Sequence, residues 1–146
     1  MRQYYSYNQF LKDINILKKQ IKDFRADTYL AVARGGLTIA HFLAIATDMR
    51  QLFTLNSIHY NNQNRLDYIK VFNIPNLSNS QRVLIIDDIV DSGESMEQIL
   101  KILCSKYPHI QFKIASIFYK DKAKIIPDFK IHKANCWIDF FWECDI

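Results

Sequence analysis

The chain has 146 residues, 49% of them hydrophobic and 23% charged, with a formal net charge of +4. That length suits one domain, residues 1–146, able to bury its own core, and ten Phe, eight Tyr and two Trp exclude a disordered chain. No apolar run approaches the roughly 20 residues needed to cross a bilayer, and MRQYYSYNQF lacks the apolar stretch of a signal peptide, so a cytoplasmic location without integral membrane association is expected.

The charge excess is too small and too dispersed to argue for a nucleic-acid partner. Cys104, Cys136 and Cys144 are odd in number and show no CxxC spacing, against both a disulfide framework and a zinc site. His41, His59, His109 and His132 are scattered, and each reads as structural or surface.

In chain order, residues 6–24 read as an amphipathic helix. Phe10, Ile14, Leu17, Ile21 and Phe24 recur at spacings of three and four, and Ser6 with Gln9 offers a capping box. TYLAVA (28–33) is a short apolar strand that runs into Arg34-Gly35-Gly36, and LTIAHFLAIATDM (37–49) has helical composition. LFTLNSIHY (52–60) alternates as a strand. NNQNRLDYIK (61–70) is polar and reads as a mobile connection, and VFNIP is a short edge strand stopped by Pro75. RVLIID (82–87) is a continuous β-branched run, the mark of a parallel strand buried on both faces. Residues 95–107 form a helix closed before Pro108, and FKIASIFYK (112–120) is the next strand. The tail is lysine-bearing and then aromatic. Alternating strands and helices predict an α/β fold, a mainly parallel twisted sheet flanked by helices. Ligands of such sheets bind beyond the carboxyl ends of the strands, where both glycine loops and Lys120 fall.

Glycine is scarce. About ten would be usual at roughly 7% usage, and this chain has Gly35, Gly36 and Gly93 alone. Scarcity implies that each stands where a side chain does not fit.

The chemistry concentrates in VLIIDDIVDSGES (83–95). Asp87 and Asp88 leave a buried strand, Asp91 follows, and Ser92-Gly93-Glu94-Ser95 opens a helix. Backbone amides at a helix start, two hydroxyls and a glycine make a cradle for a phosphate. Adjacent carboxylates beside it can accept hydrogen bonds from a sugar diol and hold Mg²⁺ through waters. At Arg34-Gly35-Gly36, a guanidinium fork and closely approachable backbone suit a pyrophosphate.

Residues 83–95 match every constrained position of the phosphoribosyl-pyrophosphate motif of the type I phosphoribosyltransferases: four apolar residues, two acids, two apolar residues, then D-S-G-x-S. AVARGGLTIA resembles the pyrophosphate loop of that family's purine branch. IFYKD and CWIDFFWE resemble the base-binding segments of the short bacterial xanthine-guanine and hypoxanthine enzymes. The resemblance runs from the first core strand to the end of the chain, where it implies a small C-terminal hood.

By that resemblance Arg34, Gly35, Gly36 and Arg65 meet pyrophosphate, and the first loop holds a strained or cis peptide. Asp87 and Asp88 hold the ribose diol, with Mg²⁺ on Asp88, and residues Asp91, Ser92, Gly93, Glu94 and Ser95 seat the 5-phosphate. Asp91 is the general base. Lys120 contacts the purine's exocyclic oxygen, Trp137 stacks on its ring, and the Ile138 backbone reads its polar edge. The implied reaction is Mg²⁺-dependent phosphoribosyl transfer from phosphoribosyl pyrophosphate to a 6-oxopurine, by a homodimer or homotetramer. Two features depart from the family pattern: Glu94 adds negative charge at the loop's unconstrained position, and Phe140-Phe141 is unusually apolar. A phosphoribosyl-pyrophosphate-binding regulator and a transferase for another base are the competing readings. A dehalogenase-type phosphatase needs an aspartate two positions before a second acid after its apolar strand, whereas the acids after this one, Asp87, Asp88 and Asp91, are adjacent or three apart.

Overall fold

The computed structural model describes residues 1–60 and 67–146. A strand the sequence did not signal, β1 (Arg2–Tyr5), comes first. Helix α1 (Tyr7–Ile21) follows, capped by Ser6, whose Oγ accepts the Gln9 N–H at 3.2 Å. Only half of the expected capping box forms, because the Gln9 amide donates to Asp13 Oδ1 at 3.0 Å instead of reaching back. A 3₁₀ turn, Lys22–Phe24, completes the stretch predicted as one helix, and Arg25 ends it at φ 55°.

The remaining elements are β2 (Thr28–Ala33), α2 (Leu37–Thr47), β3 (Leu52–Tyr60), β4 (Tyr68–Phe72), β5 (Arg82–Val90), α3 (Glu94–Lys106), β6 (Gln111–Tyr119), β7 (His132–Lys133) and β8 (Trp137–Phe140). Six strands form one sheet in the order β4-β3-β2-β5-β6-β7. All its pairs are parallel except the antiparallel edge pair β3–β4. That edge strand begins at Tyr68, inside the stretch read as a connection.

Side chains alternate through the sheet with the two-residue period of a strand. Tyr29, Ala31, Leu84 and Ile86 pack with α1 and α2 on one face, while Leu30, Val32, Val83 and Ile85 pack with α3 on the other. Both faces of the central strands are therefore covered, which is why RVLIID carries no polar alternation. Strands β1 and β8 pair in parallel as a separate two-stranded ribbon over the first face, forming the hood.

Chain order reverses between β2 and β5. From β2 the chain steps through α2 to β3 on one side, and β5 inserts on the other. The crevice beyond the carboxyl ends of β2 and β5 is the topological switch point where open α/β sheets take their ligands.

Candidate active site

Two loops meet in that crevice. The first follows β2, where the Ala33–Arg34 peptide is cis, as the resemblance implied. Arg34 is exposed there. A Cβ built on Gly35 would lie 2.5–2.6 Å from the carboxyl group of Asp88, so the loop and the acid of β5 are already in contact. Gly36 has a different task from the one expected of it. Its N–H donates to the Val32 carbonyl at 2.8 Å, and a Cβ there would sit 2.2 Å from the Ile86 carbonyl. It lets α2 start against the backbone of β5 and has no amide free for an anion. Among the described residues, the Gly35 N–H has no hydrogen-bond partner.

Asp87 and Asp88 lie within β5, which runs to Val90 and not, as read from sequence, to Asp87. Pairing with β6 carries the strand onward: the ladder joins Asp87 to Ser116 and Ile89 to Phe118, whereas pairing with β2 stops at Ile86. The acids thus stand in the notch left where β2 turns away. Asp87 accepts the Asp88 N–H at 2.9 Å, and Asp88 accepts the Ile89 N–H at 2.7 Å.

Burial, then repulsion from Asp88, holds the Asp87 carboxyl well above the ordinary carboxylate range. Burial also raises Asp88, and the charge of Glu143 in the tail adds to it. Glu143 is a contributor that no motif in the sequence had signalled. Two crowded carboxylates are the environment a divalent cation relieves. Among the described residues no three metal-ligating side chains come together. The pair therefore fits Mg²⁺, which takes one or two carboxylates and fills the rest of its shell from water and substrate oxygens.

The raised Asp87 value sets a sign for stability. Its folded pKa lies above its unfolded one, so the native state binds more protons between the two, and stability falls as pH rises through that window. Asp87→Asn is expected to stabilise the ligand-free protein at pH 7 and to give no gain at acid pH below both values. Urea midpoints across the pH range check this. An Asp87→Asn protein less stable at neutral pH would refute it.

The second loop follows β5. Asp91, Ser92, Gly93 and Ser95 line a cavity of about 120 Å³, with Asp87 at its side. Gly93 caps α3 at φ 80°, and a Cβ there would lie 2.7 Å from the Ile125 nitrogen and 2.8 Å from that of Lys124. The segment after β6 crosses the loop at this point, and the Lys124 N–H donates to the Ser92 carbonyl at 2.8 Å. Glu94 faces Lys124 at 3.8 Å, away from the cavity.

Lys120 follows β6 directly, and its Nζ lies 2.7 Å from Asp91 Oδ1. The expected base and the expected purine contact therefore form one ion pair beside the cavity. Trp137 opens β8, 61% exposed, with the Arg2 guanidinium 5.9 Å from its ring centre. Arg2 is itself held by Asp139 at 2.5 and 2.8 Å. Ile138 is buried and pairs with Gln3. Phe140 is turned into the hood, stacked on Trp142 at 4.7 Å and edge-on to Tyr5, so its apolar character serves packing. Arg65 lies outside the described residues.

Contacts thus join Gly35 to Asp88, Asp91 to Lys120, and Gly93 to Lys124 and Ile125. Trp137 and Ile138 belong to the hood, on β8 paired with β1.

Gly35→Ala would displace the movable Asp88 carboxylate and leave the backbone alone. The expected result is little change in melting temperature with a loss of Mg²⁺-dependent substrate affinity of about tenfold, the lower end for disturbing a ligand's support. Titration of phosphoribosyl pyrophosphate with and without Mg²⁺ reads it; unchanged affinity would count against the contact.

Residues 2–146 match the phosphoribosyl transferase domain family. The structure resembles a Helicobacter pylori xanthine-guanine-hypoxanthine phosphoribosyltransferase at 40% identity and a TM-score of 0.92, over 98% of this chain and 94% of that one. A purine phosphoribosyltransferase from Pyrococcus horikoshii aligns at 26% identity and a TM-score of 0.86, over 99% and 95% of the two chains. Xanthine-guanine phosphoribosyltransferase of Cereibacter sphaeroides is 28% identical over 118 residues, 78% of this chain and 67% of that protein. With the match spanning nearly every residue, this chain belongs to the phosphoribosyl transferase family.

Proposed function

We propose that the protein transfers the 5-phosphoribosyl group of phosphoribosyl pyrophosphate to a ring nitrogen of a 6-oxopurine, which is guanine, xanthine or hypoxanthine. The products are the nucleoside monophosphate and pyrophosphate, and the role is purine salvage. The observation that carries the reading is the Asp91–Lys120 ion pair at 2.7 Å, beside a phosphate-sized cavity at the sheet's switch point. The three bases named for the Helicobacter pylori relative support the acceptor class.

The C1′–oxygen bond breaks with its electron pair leaving on pyrophosphate, and the C1′–nitrogen bond forms to the purine. The transition state has oxocarbenium character, as in glycoside cleavage. Arg34 and the Gly35 N–H receive the pyrophosphate charge as it develops. Asp87 and Asp88 hold the ribose diol, and Ser92, Gly93 and Ser95 seat the 5-phosphate on the start of α3. Asp88 would hold Mg²⁺, which when bound would supply charge neutralisation for the leaving group. Asp91 takes the proton from the purine ring nitrogen.

Lys120 carries three donors. It can keep Asp91 in place and still donate to the purine's exocyclic oxygen, an arrangement that an amino group at that position cannot satisfy. Trp137 offers its indole face to the ring. The reaction belongs to one domain, 1–146, working in the cytoplasm as a homodimer or homotetramer.

Pyrophosphate release from phosphoribosyl pyrophosphate and Mg²⁺, measured against guanine, xanthine, hypoxanthine, adenine and orotate separately, tests the proposal. Activity with one or more of the first three is expected. Silence with all five, alongside retained phosphoribosyl-pyrophosphate binding, would replace it with a binding regulator. Lys120→Ala is expected to raise the purine KM by about tenfold or more, the worth of a charged hydrogen bond, and to change the phosphoribosyl-pyrophosphate KM little. Equal losses for both substrates would remove Lys120 from the purine pocket.

A further inference from the structure

Asp13 has no solvent exposure, lies on the core face of α1, and has no part in the proposed chemistry. Three donors converge on its carboxylate. The Tyr5 hydroxyl donates at 2.6 Å, the Gln9 side-chain amide at 3.0 Å, and His132 Nε2 lies at 2.8 Å. Burial and the bond to Asp13 push the Tyr5 phenol far above its ordinary range, so its hydroxyl remains a donor. A buried carboxylate is costly even when satisfied.

The donors belong to three separate elements, β1, α1 and β7, and two of them lead to the purine side of the site. Tyr5 pairs with Phe140, and Gln3 with Ile138, so β1 carries β8 and its Trp137. His132 pairs with Phe118, two residues before Lys120 on β6. The Tyr5 ring lies between these strands, edge-on to Phe118 at 5.1 Å and to Phe140 at 5.9 Å. Among the described residues the ribbon shares no ladder with the six-stranded sheet. Its height over the strand ends is therefore set by side chains, and apolar packing by itself is non-directional. The hydrogen bonds at Asp13 are directional.

We propose that Asp13 is a positioning residue for the purine. By holding the Tyr5 hydroxyl and the His132 imidazole together, it fixes β8 over the end of β6 and so sets the gap between Trp137 and Lys120 that receives the base. The inference rests on the purine reading above. A displacement near 1 Å can cost on the order of 10² in rate, so a tether of this kind has kinetic consequences without touching substrate.

Steady-state kinetics of the full chain, each substrate varied in turn, test it. Asp13→Asn is expected to raise the purine KM about tenfold, and Tyr5→Phe, which removes one hydroxyl and keeps the ring, about threefold to tenfold. The phosphoribosyl-pyrophosphate KM stays within about twofold in both. His132→Gln, which keeps a donor toward Asp13, retains the purine KM that His132→Ala loses. Should Asp13→Asn fail to fold, Tyr5→Phe decides alone. Parallel rises in both KM values, or a lowered melting temperature with neither KM changed, would overturn the proposal and leave Asp13 a structural residue. A wild type silent toward every purine would overturn the purine reading, and this inference with it. An active wild type with unselective variants would overturn this inference only.

Discussion

Asp91→Asn is expected to lower kcat by on the order of 10²–10⁴ while the affinity for phosphoribosyl pyrophosphate is nearly kept. The asparagine preserves the shape of the loop and its backbone amides, the seat proposed for the 5-phosphate, and removes the group proposed to take the purine's proton. The ion pair with Lys120 at 2.7 Å adds a second consequence, because neutralising Asp91 also releases the lysine. The two substitutions should therefore be non-additive. The Asp91→Asn, Lys120→Ala double variant is expected to lose less than the product of the single losses, and a double-mutant cycle on kcat/KM measures the coupling. An unchanged kcat in Asp91→Asn would remove Asp91 from the role of base. Strict additivity would mean that the pair is not functional in the complex.

The largest expected effect on stability is that of Gly36→Ala. The added methyl would lie 2.2 Å from the Ile86 carbonyl and 2.9 Å from the Val32 carbonyl, both backbone atoms of central strands. Neither atom can step aside without disturbing the β2–β5 pairing, whose register runs through Ile86. The cost is expected to be about 3 kcal/mol, the upper range for overpacking a rigid core. That corresponds to a fall in melting temperature of about 6–12 °C for a chain of this size. Calorimetry of the two alanine variants separates the adjacent glycines. Gly35→Ala meets a movable carboxylate and should lose ligand affinity, whereas Gly36→Ala meets backbone and should lose stability. Equal melting temperatures for the two variants would contradict the packing described.

The strands β2, β3, β5 and β6 and the three helices were legible because each is specified by residues close in sequence. TYLAVA and RVLIID are apolar without alternation because both their faces are covered, and α1 declares itself by spacings of three and four. The loop proposed for the phosphate stood out for the same reason: residues 91–95 and the helix they open form one contiguous turn. Strand β1 was not legible. RQYY carries no alternation of its own, and its partner, β8, lies more than a hundred residues away in the chain. The continuation of β5 past Asp87, through Asp88 to Val90, was hidden likewise, because pairing with β6 extends it beyond the point where a second acid would by local propensity begin a turn.

The amino-acid sequence alone determined the alternation of the core strands β2, β3, β5 and β6 with the three helices, the loop proposed to cradle a phosphate, and the three places where a side chain is excluded. These depend on short-range sterics and hydrogen bonding, which leave local patterns. The tertiary structure decided which acid meets which glycine, the joining of Asp91 to Lys120, the use of Gly36 for packing against β5, and the gathering of Tyr5, Gln9 and His132 around Asp13. Those pairings rest on distances between residues far apart along the chain. They exist only once hydrophobic burial has closed the sheet between its helices and brought the hood down upon it.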